Sequence, residues 1–148
     1  MTEQRNHVLF STQAFNSVRD EATDVSLGGD LATAVANALQ EDGYVVPSAP
    51  SAEDWGWSLE TVKDGERHAL HLGLMDDCEP NEPKWLVWLE RRRGVSDRIL
   101  GRNKQVHPQL TQALHDAIMR LPNIKDVQWF TQADFLAGSQ DKWTPTPK

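Results

Sequence analysis

One cysteine, one tyrosine and no long apolar run are the first features of this 148-residue sequence. With Cys78 alone, an internal disulfide is excluded, and the chain suits a reducing compartment. No segment approaches the roughly 20 consecutive apolar residues that span a bilayer. The opening MTEQRNHVLF has neither a basic start nor the apolar stretch of a signal peptide. The expectation is a cytoplasmic protein without membrane contact. Basic residues are also in deficit, 15 Lys and Arg against 22 Asp and Glu, for a net charge of −7. That balance disfavours a general nucleic-acid binder, whose affinity comes mostly from cations against phosphates. No internal repeat is present. What is abundant is tryptophan, with six copies, in a chain of ordinary hydrophobic (39%) and charged (25%) content. This length and composition can bury a core without staples. We expect one domain over residues 1–138 and a flexible tail over 139–148, SQDKWTPTPK.

The stretch 53–75, EDWGWSLETVKDGERHALHLGLM, organises the rest. Apolar residues alternate on both arms, and Asp64-Gly65 between them is a dipeptide favoured by two-residue type I′ turns. With that turn Lys63 faces Glu66. Trp55 then lies opposite Leu74, Trp57 opposite Leu72 and Leu59 opposite Leu70, all on one face. KWLVWLE at 84–90 reads as a third strand, extending these rows to Trp85, Val87 and Leu89. HVLFSTQAF at 7–15 reads as a first strand with Val8, Phe10 and Thr12 on one side. Tyr44-Val45-Val46 is a candidate short strand, and PSAPSA a connector.

Two helices are expected. Asp30 is placed to cap the first, Leu31, Val35, Ala38 and Leu39 recur at helical spacing, and Gly43 is suited to end it. Pro108 suits the first position of the second. Its apolar stripe is Leu110, Ala113, Leu114, Ala117, Ile118 and Leu121, and Pro122 ends it. IKDVQWFT at 124–131 returns as a strand with Val127 and Trp129 inward. The predicted fold class is α+β: a two-layer sandwich with a mainly antiparallel sheet of five or six strands and two helices on one face.

AFN at 14–16, GGDLA at 28–32 and EDWGW at 53–57 together resemble a family of small bacterial proteins that carries an E-D-W-G-W motif. The resemblance covers roughly the first half of the chain, with WLVWLE a weaker match beyond it. Gly28-Gly29-Asp30 departs from the acidic helix start of that family. The resemblance implies segment boundaries and brings no activity with it.

Five sets of residues could carry chemistry. Glu53, Asp54, Asp76 and Asp77 form an acidic cluster at the open end of the hairpin, suited to a divalent cation, to paired-carboxylate catalysis or to a basic partner. A solvated loop edge is the commoner meaning of such a cluster. His68 and His71 stand three apart on a strand and project to opposite faces, which argues against a shared metal. Cys78 has no adjacent base to make it a nucleophile. Arg91, Arg92 and Arg93, followed by Arg98, Arg102 and Lys104, are the densest charge, partly offset in this register by Asp64 and Glu66. Finally, Leu86, Trp88, Met75 and His71 fall on the sheet face opposite the helices, beside Gly56 and Gly73. An aromatic there reads as a partner-binding or dimer surface unless Phe135 or Trp143 covers it. The sequence therefore favours a non-enzymatic protein acting through protein–protein interaction, regulatory or immunity-type, with a protein partner or its own copy. It implies no cofactor, no metal and no catalytic residue. The competing reading is a metal-assisted or acid/base hydrolase built on the carboxylates.

Overall fold

A computed structural model of the chain describes residues 4–15, 27–75, 81–92, 106–139 and 141–147. Six antiparallel strands form one sheet in the order β2-β3-β4-β5-β1-β6. They are β1 (Arg5–Ser11), β2 (Ser51–Glu53), β3 (Gly56–Lys63), β4 (Glu66–Leu74), β5 (Lys84–Arg92) and β6 (Lys125–Thr131). Helices α1 (Gly29–Glu41) and α2 (Pro108–Met119) cover one face, and a short α3 (Gln132–Leu136) follows β6. The α+β sandwich read from the sequence is the fold. No helix among the described residues is long and apolar enough to cross a membrane.

The central hairpin has the expected register. Lys63 pairs with Glu66, Leu59 with Leu70 and Trp57 with Leu72. Asp64 (φ 53°) and Gly65 (φ 80°) both adopt positive φ, as a type I′ turn demands. Replacing Gly65 by Ala should cost about 1 kcal/mol, read as a lower urea midpoint, because a Cβ is disfavoured at that φ. The third strand completes the rows: Leu70 with Leu89, Leu72 with Val87 and Leu74 with Trp85. Val8 and Phe10 join them from β1, opposite Val87 and Trp85, with Trp129 beyond Val8 on β6. Trp85, Trp129, Phe10, Leu70, Leu72 and Leu89 are all fully buried on this side.

The helices close over that face through their predicted stripes. Leu31, Val35 and Leu39 of α1 and Leu110, Leu114, Ala117 and Ile118 of α2 are completely buried. The end of α1 is a Schellman motif: Tyr44 N–H donates to Leu39 O and Gly43 N–H to Gln40 O, with Gly43 at φ 90°. The Arg120 guanidinium, just past α2, grips the Asp42 carboxylate at 2.9 and 3.4 Å and fastens the two helix ends together.

Four local expectations change. Gly28, not Asp30, caps α1. Asp30 lies inside the first turn, where its carboxylate accepts the Leu31 N–H at 2.9 Å. The glycines are there for proximity, since a Cβ on Gly29 would sit 2.7 Å from the Trp57 ring. Tyr44-Val45-Val46 contributes a single bridge, Val45 to Val62, rather than a strand. The connector instead supplies β2, from Ser51 to Glu53. The fourth change concerns Trp55, and it builds the site.

Candidate functional site

Trp55 was expected in the core row with Leu74 and Trp85. It sits instead in the two-residue turn Asp54–Trp55, between Glu53 of β2 and its partner Gly56 on β3. The chain reverses there, so Trp55 leaves the strand alternation and swings over the outer face. Two glycines make this possible. A Cβ on Gly73 would lie 2.9 Å from the Trp55 carbonyl oxygen, and one on Gly56 only 2.1 Å from the Leu72 carbonyl oxygen. The strip left bare of side chains is thus filled by the backbone of the turn. Trp55 remains 47% exposed.

On the outer face Trp55 meets Trp88 and His71. Ring centroids are 5.1 Å apart for Trp55–Trp88, 5.5 Å for Trp55–His71 and 5.1 Å for His71–Trp88. Aromatic pairs at such distances and tilts gain electrostatic as well as packing energy. The rings continue across the sheet, Trp88 to His7 at 6.2 Å, His7 to Phe135 at 5.2 Å and Phe135 to Phe130 at 5.8 Å. The register explains the order: Ser58, His71, Trp88, His7 and Phe130 occupy successive paired positions on five neighbouring strands. Phe135 of α3 covers the β1–β6 end, as one sequence alternative allowed. The β3–β5 end has no helix over it among the described residues.

His71 is held in place from both sides. Its Nε2 is 3.1 Å from Glu90 Oε2 and its Nδ1 3.1 Å from Ser58 Oγ. A carboxylate only accepts, so Nε2 carries the proton, and in the neutral ring Nδ1 accepts from the Ser58 hydroxyl. That order matches a serine activated by a carboxylate-oriented base. Ser58, however, lies in a strand paired on both sides, with Ser51 and with His71, so its backbone N–H groups serve the ladder rather than a developing oxyanion. The chain of bonds orients the ring.

His7 is 7% exposed between Trp88 and Phe135, with Nδ1 2.9 Å from Asn6 Oδ1. Burial pushes its pKa down to about 4, and the nearby Glu90 carboxylate offsets only part of that. Nothing local marks His7, because only the placement of β1 beside β5 brings it to Trp88.

The other predicted residues scatter. Leu86 and Met75 are half-buried, and Leu86 shares the outer face. Arg92 is exposed at the end of β5, opposite Arg67. Arg91 points to the helix side, where it pairs with Glu66 at 3.4 Å beside His68. Arg93, Arg98, Arg102, Lys104, Asp76, Asp77 and Cys78 lie outside the described residues. Of the acidic cluster, Glu53 ends β2 and Asp54 begins the turn. Among the described residues no group of three or more His, Cys, Asp or Glu could hold a metal ion. His68 and His71 do face opposite sides, His68 being 3% exposed on the helix side. A comparison with protein-family models found no match, nor did comparisons with curated proteins and with solved structures.

Proposed function

We propose that this chain is a non-enzymatic binding protein that works through the outer face of its sheet, and that the first occupant of that face is a second copy of itself. The observation behind this reading is the packed trio Trp55, His71 and Trp88, which leaves a half-exposed indole on the end of the sheet that no described helix covers. Large aromatics in such positions dominate the energetics of protein interfaces. Charge argues for the second copy. The outward strand positions of β2 to β5 carry Glu53, Glu60 and Glu90 against Arg67, Lys84 and Arg92, an even balance. The whole chain carries −7, so this neutral face is where two copies can meet with least repulsion. A twofold interface needs such self-complementarity.

Sedimentation velocity across the micromolar range is the test. The wild type should run as a dimer. Trp55→Ser should weaken association by about 30-fold, the scale of one tryptophan anchor, with an unchanged circular-dichroism spectrum. A wild type that stays monomeric to the highest concentration overturns the reading.

A further inference from the structure

Two histidine bonds tie helix α2 to the sheet and a third histidine caps it, each ring acting as a hydrogen-bond acceptor. His68 Nε2 accepts the backbone N–H of His107 at 3.2 Å, at the helix entry. His107 Nδ1 accepts the Gln109 N–H at 3.1 Å and so caps the helix. His115 Nδ1, on the third turn, accepts the indole N–H of the fully buried Trp129 at 3.1 Å. Each bond needs a lone pair on the named nitrogen, and an imidazolium has none. The tautomers follow: the proton is on Nδ1 in His68 and on Nε2 in neutral His107 and His115. Asparagine or glutamine could accept the same bonds at any pH.

We infer that His68 and His115 form an acid-released latch, in which their protonation removes the polar ties of α2 to β4 and β6 and frees the helix before the sheet comes apart. The charged neighbours fit. His68 faces Glu66, which favours its charged form, and Arg91 and His107, which oppose it, with Lys63 and Asp64 lining the same cavity. His115 has Asp116 on its own helix and the uncharged Trp129 from β6. Burial is the leading cause that holds both His68 and His115 below the ordinary histidine range, so both stay neutral at pH 7. A cavity of about 100 Å³, lined by Tyr44, Lys63, Glu66, His68 and His107 among others, opens beside His68. When α2 lifts, His68 and His115 regain water and their ordinary proton affinity. Proton uptake and release therefore drive each other, and the transition is steeper than a single titration.

Amide exchange of the full chain followed by NMR from pH 7 to 4.5, corrected for intrinsic exchange, tests this. The His107 amide and the Trp129 indole N–H should lose about 30-fold protection relative to Leu70 and Leu89, the scale of two lost hydrogen bonds. A His68→Gln, His115→Gln variant, which keeps acceptors that do not titrate, should hold its protection through the same range. Should the double variant fail to fold, His115→Gln alone should keep the Trp129 indole protected at a pH where the wild type loses it. Helix and sheet probes that fade together, or a variant that follows the wild-type curve, overturn the latch.

Discussion

Gly56→Ala should destabilise the protein by about 3–4 kcal/mol, among the larger costs of a single methyl group. The new Cβ would lie 2.1 Å from the Leu72 carbonyl oxygen and 3.0 Å from the Gly73 Cα. Both are backbone atoms of β4, so no rotamer change relieves the clash. Either β3 and β4 separate beside the Trp57–Leu72 pair, or the Asp54–Trp55 turn moves away. In a chain of this size the midpoint of thermal unfolding should fall on the order of 10 °C. Gly73→Ala separates the two consequences. Its Cβ would meet only the Trp55 carbonyl oxygen, at 2.9 Å, and that turn can shift. The expected result is a smaller loss of stability, with Trp55 displaced from Trp88 and dimerisation weakened. Equal midpoints for Gly56→Ala and wild type would show that β3 and β4 do not approach this closely.

The second large effect is acid lability centred on His7. Its pKa is depressed by burial, so the unfolded chain binds the proton more tightly than the folded one. Stability is therefore unaffected above the unfolded value near 6.5, and it falls as the pH drops from there through about 4. The full cost of that span is about 3 kcal/mol. His68 and His115 are shifted in the same direction and add to it. Carboxylates titrate in part of the window, so the informative quantity is a difference between proteins. His7→Phe, whose ring can keep the stack on Trp88 and Phe135, should lose less stability than the wild type between pH 7 and 4.5 in urea titrations. Parallel losses in the two proteins would show that His7 is not held neutral by its surroundings.

Both effects arise where distant segments meet, and that bears on what was legible beforehand. Trp57 and Leu72, Leu59 and Leu70, and the third-strand partners Val87 and Leu89 could be paired from a dipeptide turn and an alternating pattern. The helix stripes ending at Gly43 and beginning at Pro108 were equally readable, because 3.6-residue spacing and end signals are local. His71 and Trp88 were assigned to the outer face by the same alternation. Trp55 was misplaced because the alternation was continued through a turn. The three residues of β2, Ser51, Ala52 and Glu53, are all exposed and none is β-branched or aromatic, so nothing in their composition announces a strand.

The chain's own periodicities thus determined the hairpin, its register, the helices and the α+β class. They specify which side chains share a side, and the need to bury a side fixes the pairing. Tertiary structure alone decided that β1 enters between β5 and β6, which sets His7 against Trp88, and that α2 rests on His68 and Trp129. Those contacts join residues separated by 14 to 81 positions in the chain, where no repeat or turn correlates one residue with the other. Only the burial shared by the whole core selects them.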